Sequence, residues 1–531
     1  MGPRVVAVLA TLAVAVGASA GAASADQVLR VGTFHGIPGQ FRSIQAAVNA
    51  ARPGDWILVA PGDYKTSASR HPRGRANTPA GVLVTTRDVY IRGMNRNTVV
   101  VDGTKPGSAR CSRRAADQNL GPAGRGGRLG LNGIMVWKAA DVWVQNLTVC
   151  NFLNGKGDAG NEIWWNGGGT GKVTGHGYIG SYLTATSTFY KTEKTAAAYG
   201  IFSSNWTGGE WDHSYTSNFN DSGFYIGACQ QICDQIINHG WAEYNALGYS
   251  GSNSGGRLVI ENSEWDNNLD GINTNSQNGD DPSPQNGACP NGGVSPITHT
   301  HSCLVFMHNY VHNNNNPNVP AQGEAAQGPV GTGIVVAGGR NDTIMDNRIV
   351  RNNAWGVILS PYIDSGQPCT GGTLNFLVSG TCLFDTWGNA IIGNKFAHNG
   401  SYGHPTNGDF GYVNFEDGHP TNCFRGNSEI GGGSVRPASA AALQVKSSHC
   451  TGELVPAGAS DPKALAEGIC DSQLELIPNQ PPTCPTGPYP RRTRVVIHAL
   501  PSDLPTMPRP CAGVPANPWC AAPKPPSPGR G

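Results

Sequence analysis

Phe41-Arg42-Ser43-Ile44-Gln45-Ala46-Ala47-Val48-Asn49-Ala50-Ala51 leads through Arg52-Pro53-Gly54-Asp55 into Trp56-Ile57-Leu58-Val59-Ala60-Pro61-Gly62-Asp63-Tyr64. Apolar residues at 44, 47, 48 and 51 have helical spacing, and Ser43 is placed to cap the first turn. Arg52-Pro53-Gly54-Asp55 stops that helix. Trp56 to Ala60 reads as a short buried strand, and Pro61-Gly62-Asp63-Tyr64 as the turn after it.

Working outward, Asn-x-x-Gly recurs at Asn220–Gly223, Asn245–Gly248, Asn268–Gly271 and Asn353–Gly356. The first two intervals are 25 and 23 residues, and periods of this length mark a solenoid. A second Asn lies six residues upstream of a later one: Asn262 before Asn268, Asn309 before Asn315, Asn347 before Asn353. Asn at corners tolerates left-handed dihedrals and satisfies backbone groups. Stacked coils would align such residues into a hydrogen-bonded ladder.

Period-two reading of the strand after each Gly assigns an inner file of Ile201/Ser203, Phe224/Ile226, Tyr249/Gly251, Ile272/Thr274, Ile334/Val336 and Val357/Leu359. The outer file is Phe202/Ser204, Tyr225/Gly227, Ser250/Ser252, Asn273/Asn275, Val335/Ala337 and Ile358/Ser360. One outer wall is thus expected to display Phe202, Tyr225, Ser250 and Asn273 in file and to turn apolar at Val335 and Ile358.

The stretch 41–64 resembles, almost position by position, the opening of the right-handed parallel β-helix proteins of the pectate-lyase-like superfamily. In that family F-x-x-I-Q-x-A-V-x-A-A-x-x-G-D-x-I-x-V-x-P-G-x-Y begins the solenoid and its helix covers the first coil. The resemblance implies an all-β fold: a right-handed single-stranded parallel β-helix with an N-terminal capping helix. It also implies polysaccharide chemistry of lyase, hydrolase, esterase or epimerase type, although one fold hosts many functions.

The chain has 531 residues and a net charge of +1. That balance excludes a general phosphate-backbone binder, so no nucleic-acid partner is expected. Arg4, the apolar run Val5 to Val16 and the small residues Ala23-Ser24-Ala25 read as a secretory signal over 1–25, giving a secreted protein with no transmembrane span in its mature chain. The 14 Cys then read as disulfides. Cys229 and Cys233 are expected to be paired with each other or to be two separate half-cystines, not zinc ligands. The β-helix is expected over 26–445, with long loop insertions at 104–130, 275–300, 313–330 and 363–383 that commonly build the binding face of a solenoid. Residues 446–531 read as a Pro/Cys-rich C-terminal tail, since 16 of the 54 residues from Pro478 onward are Pro. A capped solenoid needs no second copy, so a monomer is expected.

For catalysis, the richest acidic stretch holds Glu261, Glu264, Asp266, Asp270, Asp280 and Asp281. Hydrolysis needs two carboxyl groups flanking the bond. Calcium-assisted elimination needs a carboxylate cluster and a base such as Arg340 or Arg348. Asp270, Asp280 and Asp281 are the catalytic candidates, with Ca²⁺ the candidate cofactor. Asn273-Thr274-Asn275 with Gly279-Asp280-Asp281 is faintly similar to the polygalacturonase N-T-D … G-D-D pattern, but Asn275 replaces the Asp and the gap is shorter than one coil. Gly175-His176-Gly177 lies upstream instead of downstream, so that assignment is rejected. Tyr225, Asn273, Phe202 and Trp241 are the candidate sugar-binding residues, pairing ring faces with amides. His213, His239, His299, His301, His308 and His312 read as polar-loop residues, and no metal ligand is assigned. Two function classes stay open: a carbohydrate-active lyase or hydrolase, or a non-catalytic extracellular glycan-binding or adhesion protein. In both the partner is a polysaccharide or cell-surface glycan.

Overall fold

A computed structural model describes residues 27–520, apart from 67–68, 170, 279–283, 366–367, 376–378, 416–418, 447–460 and 476–479. The expected signal segment therefore lies outside the described residues, as do Asp280 and Asp281.

Strands recur in a fixed order of three. Trp56–Val59, Gly62–Lys65 and Ala80–Val84 make one round; Tyr90–Gly93, Val99–Asp102 and Asn132–Trp137 make the next. Each strand pairs in parallel with its counterpart one round on, giving a first sheet of 12 strands, a second of 11 and a third of 10. The molecule is a right-handed single-stranded parallel β-helix, the hand that parallel crossovers adopt.

The inner file follows the period-two reading. Ile163, Ile201, Phe224, Tyr249, Ile272, Ile334 and Val357 are partners on successive strands of the third sheet and are fully buried. They join Val144, Ile260, Phe306, Val149, Trp265 and Ile349 from the other sheets in one core cluster. Each such side chain contributes about 1.5–3 kcal/mol by leaving water.

Helix α1 (Ile44–Ala50) covers the first coil. Ser43 Oγ accepts from Ala46 N, and Ile44, Ala47 and Val48 are buried. Gln45 reaches the open edge of the third sheet: its amide donates to Leu83 O at 3.1 Å and accepts from Leu83 N at 2.7 Å. Helix α2 (Ala438–Lys446) closes the other end. Gln444 accepts from Asn427 N at 2.8 Å and donates to Asn427 O at 3.0 Å. At each end one glutamine side chain thus meets the N–H and C=O of one residue of the terminal coil, Leu83 or Asn427.

The corners divide two tasks that the sequence reading gave to one Asn. Between the second and third sheets, Tyr244, Asn267, Asn313, Arg351 and His398 take the left-handed conformation. The next residue in each case, Asn245, Asn268, Asn314, Asn352 and Asn399, forms a ladder with amide-to-amide distances of 3.1, 3.0, 3.2 and 3.4 Å. Between the first and second sheets, His308, Asp346, Gly393 and Gly426 precede Asn309, Asn347, Asn394 and Asn427, linked at 3.0, 2.9 and 3.0 Å. The rungs are thus Asn314 and Asn352 where Asn315 and Asn353 were expected, and Asn262 takes the left-handed place beside Ser263.

From Tyr489 the chain runs back along the solenoid to its first coil. His498 N donates to Asn218, and its ring stacks on Tyr244 at 3.4 Å. Thr506 Oγ1 donates to Asn146 at 2.7 Å, and Arg96 donates to Pro505 O at 3.0 Å. Arg92, over the Trp56 ring at 4.5 Å, donates to Pro510 O and Ala512 O. Trp519 Nε1 ends the run on Ile37 O at 2.9 Å. Six disulfides are described: 111–150, 229–233, 289–303, 369–382, 470–484 and 511–520. Cys229 and Cys233 are therefore joined to each other.

Asn347 donates to Phe306 O and Asn394 and accepts from the backbone and side chain of Asn309. Asn347→Ala is expected to cost about 3 kcal/mol by orphaning these buried groups, read as a lower denaturation midpoint. Arg92→Ala is expected to speed proteolysis within residues 505–520 by roughly tenfold through loss of charged hydrogen bonds, the coils staying intact in the same digest.

Candidate functional site

The outer wall of the third sheet has the expected register. Phe202, Tyr225, Ser250, Asn273, Val335 and Ile358 are partners on six successive strands. At its N-terminal end the wall is aromatic. Trp164 stacks on Phe202 at 5.0 Å, Tyr199 on Phe202 at 4.5 Å, and Tyr225 meets Phe202 edge-on at 4.8 Å. The middle is amide and hydroxyl, and the far end is apolar. Over this wall fold the loop with Gly323–Gln327, the strand Tyr362–Ser365 and helix α3 (Pro462–Asp471), leaving a groove of about 230 Å³.

Helix α3 lies after residue 446 and ahead of the Pro-rich stretch that begins at Pro478. Asp461 caps it, with Pro462 in its first turn. Glu467, fully buried, accepts from Thr406 N at 3.2 Å and Thr406 Oγ1 at 2.5 Å, and so fastens the helix to the last coils. Leu465 and Ile469 then line the groove together with Val335 and Ile358.

Two carboxyl groups reach the polar part of the groove from different elements. Asp221, half-buried at a strand entrance, accepts from Tyr199 Oη at 2.8 Å. Burial pushes its pKa up to about 7, opposed by the Tyr199 and Ser222 hydrogen bonds and reinforced by Glu324. Glu324 stands at the rim on the insertion loop, where Gln277 donates to it. Desolvation, then the charge of Asp364, raise its pKa. Between and beside them lie Tyr225, Ser250, Ser252, Asn273 and Asn275. Asn273 Oδ1 and Asn275 Oδ1 are buried and have no protein hydrogen-bond partner.

The residues singled out from sequence are distributed as follows. Tyr225 and Asn273 line the groove, and Phe202 packs beside it. Asp270 starts the same strand as Asn273 but is fully buried beneath the loop. Its Oδ2 accepts from Asn273 Nδ2 at 2.8 Å, its Oδ1 has no partner, and burial raises its pKa well above the carboxylate range. Trp241 belongs to a different wall, that of the second sheet, where its Nε1 donates to Asp266 Oδ1 at 2.8 Å. On that wall the polar atoms of Glu264, Asp266 and His312 lie within 4.8 Å of one another, each already engaged by a protein partner. Asp212, His213 and His239 form a second such group, with His213 and His239 stacked at 4.4 Å.

Asp221, Glu324 and Tyr199 were not singled out from sequence. A signal for Asp221 existed: after the repeat Asn stand Asp221, Ala246, Leu269 and Ala354, so one Asp occupies a place otherwise apolar. Glu324 carries no such mark beyond lying in an insertion.

No protein-family model and no curated protein matches the chain. Among solved structures it is similar to the A-module of the mannuronan C-5 epimerase AlgE6 of Azotobacter vinelandii, at 15% identity over 73% of this chain and 84% of that one, with a TM-score of 0.41. It is similar to pectate lyase Pel9A at 15% identity over 76% of each chain, TM-score 0.37. It is also similar to an alginate lyase from Paenibacillus sp. at 12% identity over 77% of this chain and 96% of that one, TM-score 0.35. No residue role passes from these proteins to this chain.

The raised pKa of Asp221 has a consequence for stability. Below the unfolded value near 3.8 both states are protonated. As pH climbs toward 7 the unfolded carboxyl ionises while the folded one resists, so stability declines across that window. Asp221→Asn, which keeps an acceptor for Tyr199, is expected to flatten this decline in a series of thermal midpoints from pH 4 to pH 8.

Proposed function

We propose that the groove binds a polysaccharide chain and hydrolyses a glycosidic bond in it. The observation that carries this reading is the convergence of Asp221 and Glu324 on one groove that also presents hydroxyl, amide and ring surfaces. Asp221, with a pKa of about 7, keeps a proton at neutral pH and serves as the general acid to the leaving oxygen. Glu324, at the rim and opposite in origin, takes the proton of the attacking water. Tyr199 holds the Asp221 carboxyl in place. The unpaired oxygens of Asn273 and Asn275 accept from sugar hydroxyls, whose burial without partners would be costly. Tyr225 offers ring surface to a sugar face.

Export of the chain, with residues 1–25 removed, belongs to the same reading. Six described disulfides suit an oxidising compartment. Among the described residues no helix is long and apolar enough to cross a membrane. Asp270 in this reading is a buried support of Asn273, while Asp280 and Asp281 are given no role in it.

Reducing-end release from a panel of neutral and acidic polysaccharides tests the reading. Asp221→Asn and Glu324→Gln are each expected to slow the wild-type rate by roughly 100-fold or more, the usual worth of a positioned acid or base, with circular dichroism unchanged. The wild-type rate should fall as pH rises above 7. Undiminished rates in both variants would remove the pair from the chemistry. A wild-type chain that binds glycan and releases no reducing ends would be a binding protein instead.

A further inference from the structure

We infer that the groove takes a neutral glycan bearing short apolar O-acyl or O-alkyl substituents, and not a polyuronate. The inference rests on the reading of this groove as a glycan site and names the class of glycan.

Charge argues first. Among the described residues that line the groove there is no Lys, Arg or His. The ionisable groups with an acidic character there are Asp221 and Glu324, with Asp364 near the rim. A polyuronate would bring one carboxylate per sugar into a cleft that holds the Glu324 carboxylate and, among its described lining residues, no cation to meet it. Its desolvation would go uncompensated, and like-charge juxtaposition at an interface costs several kcal/mol. Neutral sugars meet no such opposition and find hydroxyl and amide partners in Ser250, Ser252, Asn273 and Asn275.

The second argument is the split character of the wall. The outer file changes from Asn273 to Val335 to Ile358 between neighbouring strands, about 4.8 Å apart. The same groove is lined from α3 by Leu465 and Ile469, and by Leu474 after it. Val335 and Ile358 on the wall and Leu465, Ile469 and Leu474 from α3 and the residues after it thus give the groove an aliphatic part. An unmodified hexose carries hydroxyls around its ring and would leave them without partners there. A methyl or acetyl group fills such a gap and gains by leaving water. Because the apolar end is continuous with the polar half, a substituent can sit in it while its sugar stays on Asn273 and Asn275.

The test is equilibrium binding by the wild-type chain to acetylated xylan, mannan and glucan, to the same three polymers after deacetylation, and to polygalacturonate and alginate. At least one acetylated polymer is expected to bind about tenfold tighter than its deacetylated form, the discrimination a small apolar group supports in a fitted pocket. That affinity should hold from low to high salt, as expected of an uncharged ligand. Ile469→Lys and Leu474→Lys, which place a cation at the apolar end, are expected to abolish the preference for the acetylated form. Either variant suffices if its circular dichroism matches the wild type. Tighter binding of either polyuronate overturns the inference, and so does equal affinity with and without acetyl groups, or no binding to any neutral polymer. Hydrolysis of a polyuronate by the wild type would sink this inference alone. Binding of acetylated glycan without reducing-end release would sink the hydrolytic reading alone.

Discussion

Each coil of this molecule is hydrogen-bonded to the coil before and the coil after it, so two coils are left with unmet backbone edges. A helix lies over each of them. Gln45 and Gln444 close them with the same two-bond side-chain contact, one from each terminal helix. Between the ends, the polar corners face a related demand: chain reversals bury amides that no strand can pair. The ladders of Asn245 to Asn399 and of Asn309 to Asn427 meet it by handing each donor to the coil beyond. Register follows from these rungs, and with the register comes the alignment of residues distant in sequence along a single wall.

The groove depends on that alignment. Asp221 and Tyr225 come from one round of chain and Asn273 from two rounds later, while Glu324 comes from an insertion and Leu465 from beyond the last coil. The sheet supplies a rigid floor, since backbone pairing fixes the spacing of its outward side chains. The loop and α3 supply walls with a different character, acidic and hydrogen-bonding on one side and aliphatic on the other. Desolvation under this cover is what holds a proton on Asp221 near neutrality.

Much of the fold was legible because its determinants are local and periodic. Ser43 and the spacing of Ile44, Ala47 and Val48 announce α1, and strict alternation separates Phe224 from Tyr225 and Ile272 from Asn273. The file from Phe202 to Ile358 is legible for the same reason. The ladder was displaced by one residue at Asn314 and Asn352, because a period shows that a corner recurs and not which of two adjacent residues turns and which one pairs. Helix α3 has its own sequence marks, Asp461 and Pro462, but the Pro-rich stretch from Pro478 onward dominates the reading of everything after 446. The return of the tail was illegible in principle: Arg92 meets Pro510 across more than 400 residues, and no periodicity reports such a contact. Asp221 was visible only as a charged residue in an otherwise apolar place, and Glu324 only through the loop that carries it. Trp241 shares its composition with the groove aromatics and belongs to another wall, a distinction that rests on which sheet its strand joins.

The path of the tail also orders events in time. Coils can close one after another as the ribosome delivers them, each templated by its predecessor. The groove of Arg92, Arg96 and Trp56 on the opening rounds must wait for Pro505 to Trp519, a stretch made only after the coils themselves. The earliest part of the solenoid is thus finished only after its last coil, and a chain cut before Pro505 would leave its defect at the beginning.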